Sequence, residues 1–142
     1  MIRTIDDSIS VAPQLSPEDM PALAAAGFGF VINNRPEGEE SGQPSNASIR
    51  AAAEAAGMGY AEIPTVMGGM TQRQVDEMAA ALASTTKPVL AFCRSGTRSC
   101  NLWALAEASR GGDPEELTAK AAAAGYDLSG IRPVLDQLAG KA

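Results

Sequence analysis

Apolar residues in this chain gather into short runs set between alanine-rich stretches. The runs at residues 28–32 and 88–92 carry no charge, and that at 60–63 holds only Glu62; all three read as core strands. Residues 2–5 and 9–11 read as a short N-terminal hairpin. The stretches between the runs open on capping residues and close on glycines, so they read as helices. Ser16 is placed as an N-cap, with Pro17 at the first helical position and Glu18 and Asp19 in the first turn, for a helix ending at Gly27. Residues 45–56 form a second helix closed by Gly57. Thr71 and Gln74 form a capping box for a third, reaching about Ser84. No strand-like run follows residue 92. A helix is expected from Ser99, acting as N-cap, through Ala106. Another is capped by Asp113 and ends at Gly125, and a last one covers 130–139.

Strand, helix, strand, helix, strand implies right-handed crossovers. The expected fold class is α/β: a mainly parallel central sheet flanked by helices, with an all-helical C-terminal third, in one domain over residues 1–142. Sites in such sheets lie beyond the carboxyl ends of the strands. Residues 33–44, 64–70 and 93–98 leave those ends and should surround one site.

Composition narrows the chemistry. The chain has 142 residues and a net charge of −6, which speaks against nucleic acid as a partner. No apolar stretch approaches the roughly 20 residues that span a bilayer, and the N-terminus has no signal-peptide core. A cytoplasmic protein with reduced thiols, away from the membrane, is expected. There are two cysteines and no histidine. Catalytic pairs that need an imidazole are ruled out, as are histidine metal sites, and two cysteines alone make a poor zinc site. The reading calls for no metal and no cofactor.

The candidate chemistry sits in Cys93-Arg-Ser-Gly-Thr-Arg-Ser99, directly after the run at 88–92. A strand feeds a cysteine, a glycine-bearing loop returns an arginine, and a helix opens. That layout is an anion cradle of inward amides and a helix N-terminus, and the same groups stabilise a thiolate. Cys93 is the expected nucleophile and Arg98 the group that grips an oxyanion or braces the loop. Arg94, Ser95, Gly96, Thr97 and Ser99 supply the cradle. Arg94 points outward, to meet an acceptor or only solvent. Cys100 reads as a packed core residue and Trp103 as core. Asn33, Asn34 and Arg35 either line the site or hydrogen-bond their own turn. The glutamates from Glu37 to Glu40 read as a solvated loop. Met67, Gly68, Gly69 and Met70 read as an adaptable apolar lip.

The loop resembles that of two families. Rhodanese-like sulfurtransferases often carry the Cys-Arg-Ser-Gly-x-Arg-Ser pattern of Cys93–Ser99. Protein tyrosine and dual-specificity phosphatases carry Cys-x5-Arg, one residue longer than Cys93-x4-Arg98, and their loop is followed by helices, as here. Nearly the whole chain is similar to the phosphatase-like domain family of beta-lactamase hydrolase-like proteins. The landmarks are Gln14 to Asp19, Val31 to Glu39, Gln43-Pro44, Ile63-Pro64 and Cys93 to Ser99. The resemblance implies a dual-specificity-phosphatase-like fold. By likeness to the phosphatases, the Ser99 hydroxyl would steady the thiolate.

Within that resemblance two arguments favour sulfur over phosphate. The short loop makes a narrow cradle, and residues 64–70 hold no acid to protonate a leaving group. The leading expectation is therefore a sulfurtransferase carrying a Cys93 persulfide from a small sulfur donor to cyanide, a thiol or a protein acceptor. The alternative is a cysteine-dependent phosphatase acting on a small oxyanion through a phosphocysteine. A non-catalytic anion-binding module is the third reading.

Overall fold

In the computed structural model, which describes residues 1–66 and 68–140, the three expected core strands lie side by side. They are β3 (Phe30–Asn33), β4 (Gly59–Glu62) and β5 (Val89–Phe92). The N-terminal hairpin of β1 (Arg3–Asp6) and β2 (Ile9–Ala12) also forms, but it does more than expected. All of β2 is buried, and it pairs in parallel with β5. The sheet order is β1-β2-β5-β3-β4, with β1 antiparallel to its neighbour and the other pairs parallel.

The helices cover both faces. They are α1 (Met20–Ala25), α2 (Asn46–Ala55), α3 (Gln72–Ala83), α4 (Thr97–Ser109), α5 (Pro114–Ala123) and α6 (Arg132–Leu138). The strand period of two divides each strand between two cores. Val89 and Ala91 of β5 pack with α3, α4, α5 and α6, whereas Leu90 and Phe92 pack with α1 and α2. The caps follow the sequence. Ser45 Oγ accepts from Ser48 N before α2, and Thr71 and Gln74 close a capping box before α3.

One boundary differs from expectation and matters for the site. Helix α4 begins at Thr97, not Ser99, and its N-cap is Gly96 in a left-handed conformation, φ 92°. Ser99 is therefore not a cap but a buried residue of the first turn, as is Arg98. α4 is buried around most of its circumference, between the sheet and α3, α5 and α6. Trp103 is core, as expected. Among the described residues no helix is long and apolar enough to cross a membrane.

Candidate active site

Parallel register brings the strand ends to one line: Ala12 and Asn33 both sit opposite Phe92, and Asn33 opposite Glu62. The backbone ladder then continues into the turns. Cys93 N donates to Ala12 O (3.3 Å), Asn34 N to Phe92 O (2.8 Å) and Thr65 N to Asn34 O (3.0 Å). Four segments meet here, not three, because β2 adds the turn that carries Gln14.

The loop after β5 folds back on its cysteine. Gly96 N–H donates to Cys93 Sγ at 3.0 Å. That amide reaches Sγ because residue 96 takes a left-handed backbone, which glycine adopts at little cost. A side chain there would also strike the Tyr126 hydroxyl. Tyr126 O–H donates to Ser95 O (3.4 Å), and Ser95 Oγ to Thr97 Oγ1 (3.2 Å). Ser99 Oγ is buried without a hydrogen-bond partner. Cys93 has no accessible surface. Cys100 is equally buried, and burial, reinforced by the neighbouring Cys93 charge, pushes its thiol up to about 12. It stays protonated in the core, and neither cysteine forms a disulfide.

Arg98 stands beside Cys93, 7 % exposed, with its guanidinium clamped. Nη1 donates to Glu39 Oε2 and Nη2 to Glu39 Oε1, each at 2.8 Å, and Nη1 also donates to Thr65 O at 2.8 Å. This two-pronged contact is the strong geometry for an arginine and a carboxylate. The hydrogen bonds from Arg98 outweigh desolvation and, with those from Arg35, hold the Glu39 carboxyl down at about 2. The same pairing, with the Cys93 charge behind it, raises Arg98 above its ordinary value.

The loop after β3 is thus not merely solvated, as its glutamates suggested. Glu39 also accepts from Arg35 Nε (2.8 Å), Arg35 Nη1 donates to Gln14 Oε1 (3.0 Å), and Glu40 pairs with Arg94 (3.1 Å). Glu37 accepts from Asn46 N at the start of α2. Of the residues left open between site and turn, Asn33 and Asn34 brace the turn. Asn33 Oδ1 accepts from Arg35 N, and Asn34 Nδ2 donates to Ile63 O. Arg35 is buried and reaches the site through Glu39. Gln14 and Tyr126 were missed by sequence reasoning. No spacing pattern links Tyr126 to the loop, whereas Gln14 lay within a family landmark.

Glu39, Arg94, Ser95 and Arg98 line a cavity of about 360 Å³. Two larger clefts, of about 470 and 460 Å³, lie over α1 and α2 and hold no nucleophile. Of the expected apolar lip, Gly68 and Met70 line a separate cavity with Asn101 and Leu105, and Met67 lies outside the described residues.

The comparisons with known proteins bear on this geometry. A family model described as "Beta-lactamase hydrolase-like protein, phosphatase-like domain" matches residues 1–110. The beta-lactamase hydrolase-like protein of Agrobacterium fabrum is 40% identical over 107 residues, 75% of this chain and 25% of that protein. The chain therefore spans about a quarter of that relative's length. A candidate phosphatase of Neisseria meningitidis Z2491 is 33% identical, with a TM-score of 0.82 over 96% of this chain and 97% of the other. PTPMT1, at 16% identity, shares the fold with a TM-score of 0.75, over 99% of this chain and 95% of its own.

These findings overturn the sulfur-transfer expectation. The family is phosphatase-like, so the alternative, a cysteine-dependent phosphatase, is the reading they favour. The structure shows why loop length misled. The shorter loop still turns an amide onto Sγ through Gly96, and Arg98 comes from the first turn of α4 rather than from the loop.

Proposed function

The chain belongs to the phosphatase-like domain family of beta-lactamase hydrolase-like proteins, and from that membership we propose that it is a phosphatase acting through a phosphocysteine on Cys93. The observation that carries the reading is the Gly96 amide on Sγ at 3.0 Å, next to an Arg98 held rigid by Glu39. Phosphoryl transfer is mostly positioning and charge stabilisation, and these are positioning devices.

The thiolate attacks phosphorus, and the ester P–O bond breaks with its electron pair leaving on oxygen. Water then attacks phosphorus, the P–S bond breaks, and phosphate and thiolate are released. Because Sγ is covered in the free protein, the incoming phosphoryl oxygens take over the Gly96 amide. Arg98 keeps its grip on Glu39 and offers its remaining donors. Glu39 is ionised at neutral pH and cannot protonate the leaving group. Thr65, whose turn lies against Arg98, brings no acid either. Turnover therefore favours esters whose leaving oxygen is a weak base, aryl over alkyl.

The test is hydrolysis of para-nitrophenyl phosphate against an alkyl phosphate, with mass spectrometry for a trapped phosphoryl group. Cys93→Ser should abolish both turnover and adduct, while Cys100→Ser retains them. Equal activity in Cys93→Ser, or no aryl phosphate turnover by the native chain, overturns the reading.

A further inference from the structure

Arg35 is, among the described residues, a deeply buried cation that the reaction does not use directly. Its side chain is 3 % exposed, with Nε given to Glu39 and Nη1 to Gln14. Nη2 has no hydrogen-bond partner. A buried donor without an acceptor is costly, so such a group marks a place where an acceptor fits. The oxygen facing it is Glu40 Oε2, 3.9 Å away, and the same oxygen lies 3.1 Å from Arg94 Nη2. One carboxylate oxygen thus sits between two guanidinium groups, close to one and loose on the other.

Glu40 is suited to leave. Its side chain is 53 % exposed, and ion pairs so exposed are weak. It lies on the turn between Gly38 and Gly42, both at positive φ. The position it holds adjoins the reaction site. Arg94 follows Cys93 in the chain and lines the same cavity as Arg98, and Arg35 and Arg98 share the oxygen Glu39 Oε1.

We propose that Arg94 and Arg35 form a subsite for a second acidic group, a carboxylate or phosphate, borne by the same substrate whose phosphoryl group meets Cys93. Glu40 Oε2 occupies that position in the free protein and swings out when the substrate's own oxyanion takes it. The preferred substrates are then phosphomonoesters with a second anionic group a few bonds from the ester. This rests on the phosphatase reading and adds a substrate class to it.

The probes are phenyl phosphate and its 3- and 4-carboxy derivatives, which differ by one carboxylate on a rigid ring. Affinities are measured by calorimetry on Cys93→Ser protein, and kcat and KM on the native chain. At least one carboxylated ester should bind about tenfold tighter than phenyl phosphate, the scale of one charge-assisted hydrogen bond less the displaced Glu40 contact. Arg94→Gln should bring that ratio to about one, and Glu40→Gln should raise it. Affinity ratios near one for both esters, or a preference that survives Arg94→Gln, overturn the subsite. A preference in binding that Arg94→Gln removes, with no turnover by the native chain, supports the subsite and overturns the phosphatase reading instead.

Discussion

Glu39 and Gly96 do unlike jobs for the same loop. Glu39 is the charge that lets Arg98 lie buried, and removing one partner of such a pair strands the other. Glu39→Gln should lower kcat/KM on an aryl phosphate by on the order of tenfold to a hundredfold through a loosened Arg98. It should also change acid stability. The folded carboxyl is held at about 2 against an ordinary 4.5, so its contribution is complete above 4.5 and fades as pH falls toward 2. Thermal melts of native and variant protein should differ by a constant gap from pH 6 to 8, and the gap should close on acidification below 4.5. A gap that widens in acid would mean Glu39 is not the stabilised anion. Gly96→Ala meets two obstacles, a left-handed backbone and the Tyr126 hydroxyl. The backbone part alone costs about 1–2 kcal/mol. Adding Tyr126→Phe should recover the steric part only, a coupling that denaturant melts of the four proteins would measure.

At the scale of elements, the N-terminus of α3 is tied to the site through one side chain. Gln74 Oε1 accepts from Thr71 N (3.0 Å) and Thr65 Oγ1 (3.1 Å), while Nε2 donates to Pro64 O (2.8 Å). Thr65 O in turn receives Arg98. A capping box that would elsewhere only begin a helix here also sets the turn after β4. Gln74→Ala should cost about 1 kcal/mol of stability, the usual worth of a cap. It should also reduce kcat/KM several-fold, an effect that a cap facing solvent would not have. Steady-state kinetics at a temperature where both proteins remain folded would show it. Unchanged kinetics would separate the turn from Arg98.

Across the whole molecule, α4 carries Arg98 on its first turn and is buried along most of its length, so its placement depends on what covers it. Much of that cover comes from Leu117, Leu128 and Leu135, which lie beyond the residues the family model matches. Leu135 has no accessible surface. Leu135→Ala should cost about 2–5 kcal/mol, the range for a buried leucine truncated to alanine. Aryl phosphate turnover by the folded fraction should survive. Chemical denaturation would check the first statement and turnover at low temperature the second. A loss near zero would mean α6 does not close the core over α4.

What local chemistry dictates, the sequence alone determined. Strands at 28–32 and 88–92 are uninterrupted apolar runs, and that at 60–63 is broken only by Glu62. Ser45, Thr71 and Asp113 are caps whose effect reaches only the next turn. The core strands and the starts of α2, α3 and α5 were therefore legible within a residue or two, whereas Pro17–Asp19 forms a 3₁₀ turn and α1 begins only at Met20. The cysteine loop was legible for the same reason: its cysteine, glycine and arginine lie within six consecutive residues. Three things had no local signal. The helix start at Thr97 depends on Gly96 turning left-handed against Tyr126, a neighbour from beyond α5. The role of β2 depends on its parallel pairing with a strand some 80 residues later. Glu39 and Glu40 look like surface residues in sequence, because the arginines they meet come from far along the chain: Arg98, from α4, builds Glu39 into the site, and Arg94, from the loop after β5, meets the more exposed Glu40. Charge pairing over such separations leaves no periodicity in the chain, and only the tertiary structure decided it. The choice between sulfur and phosphate lay beyond loop length as well, since a loop one residue shorter still turns an amide onto Cys93 and leads into the helix that sets Arg98 beside it.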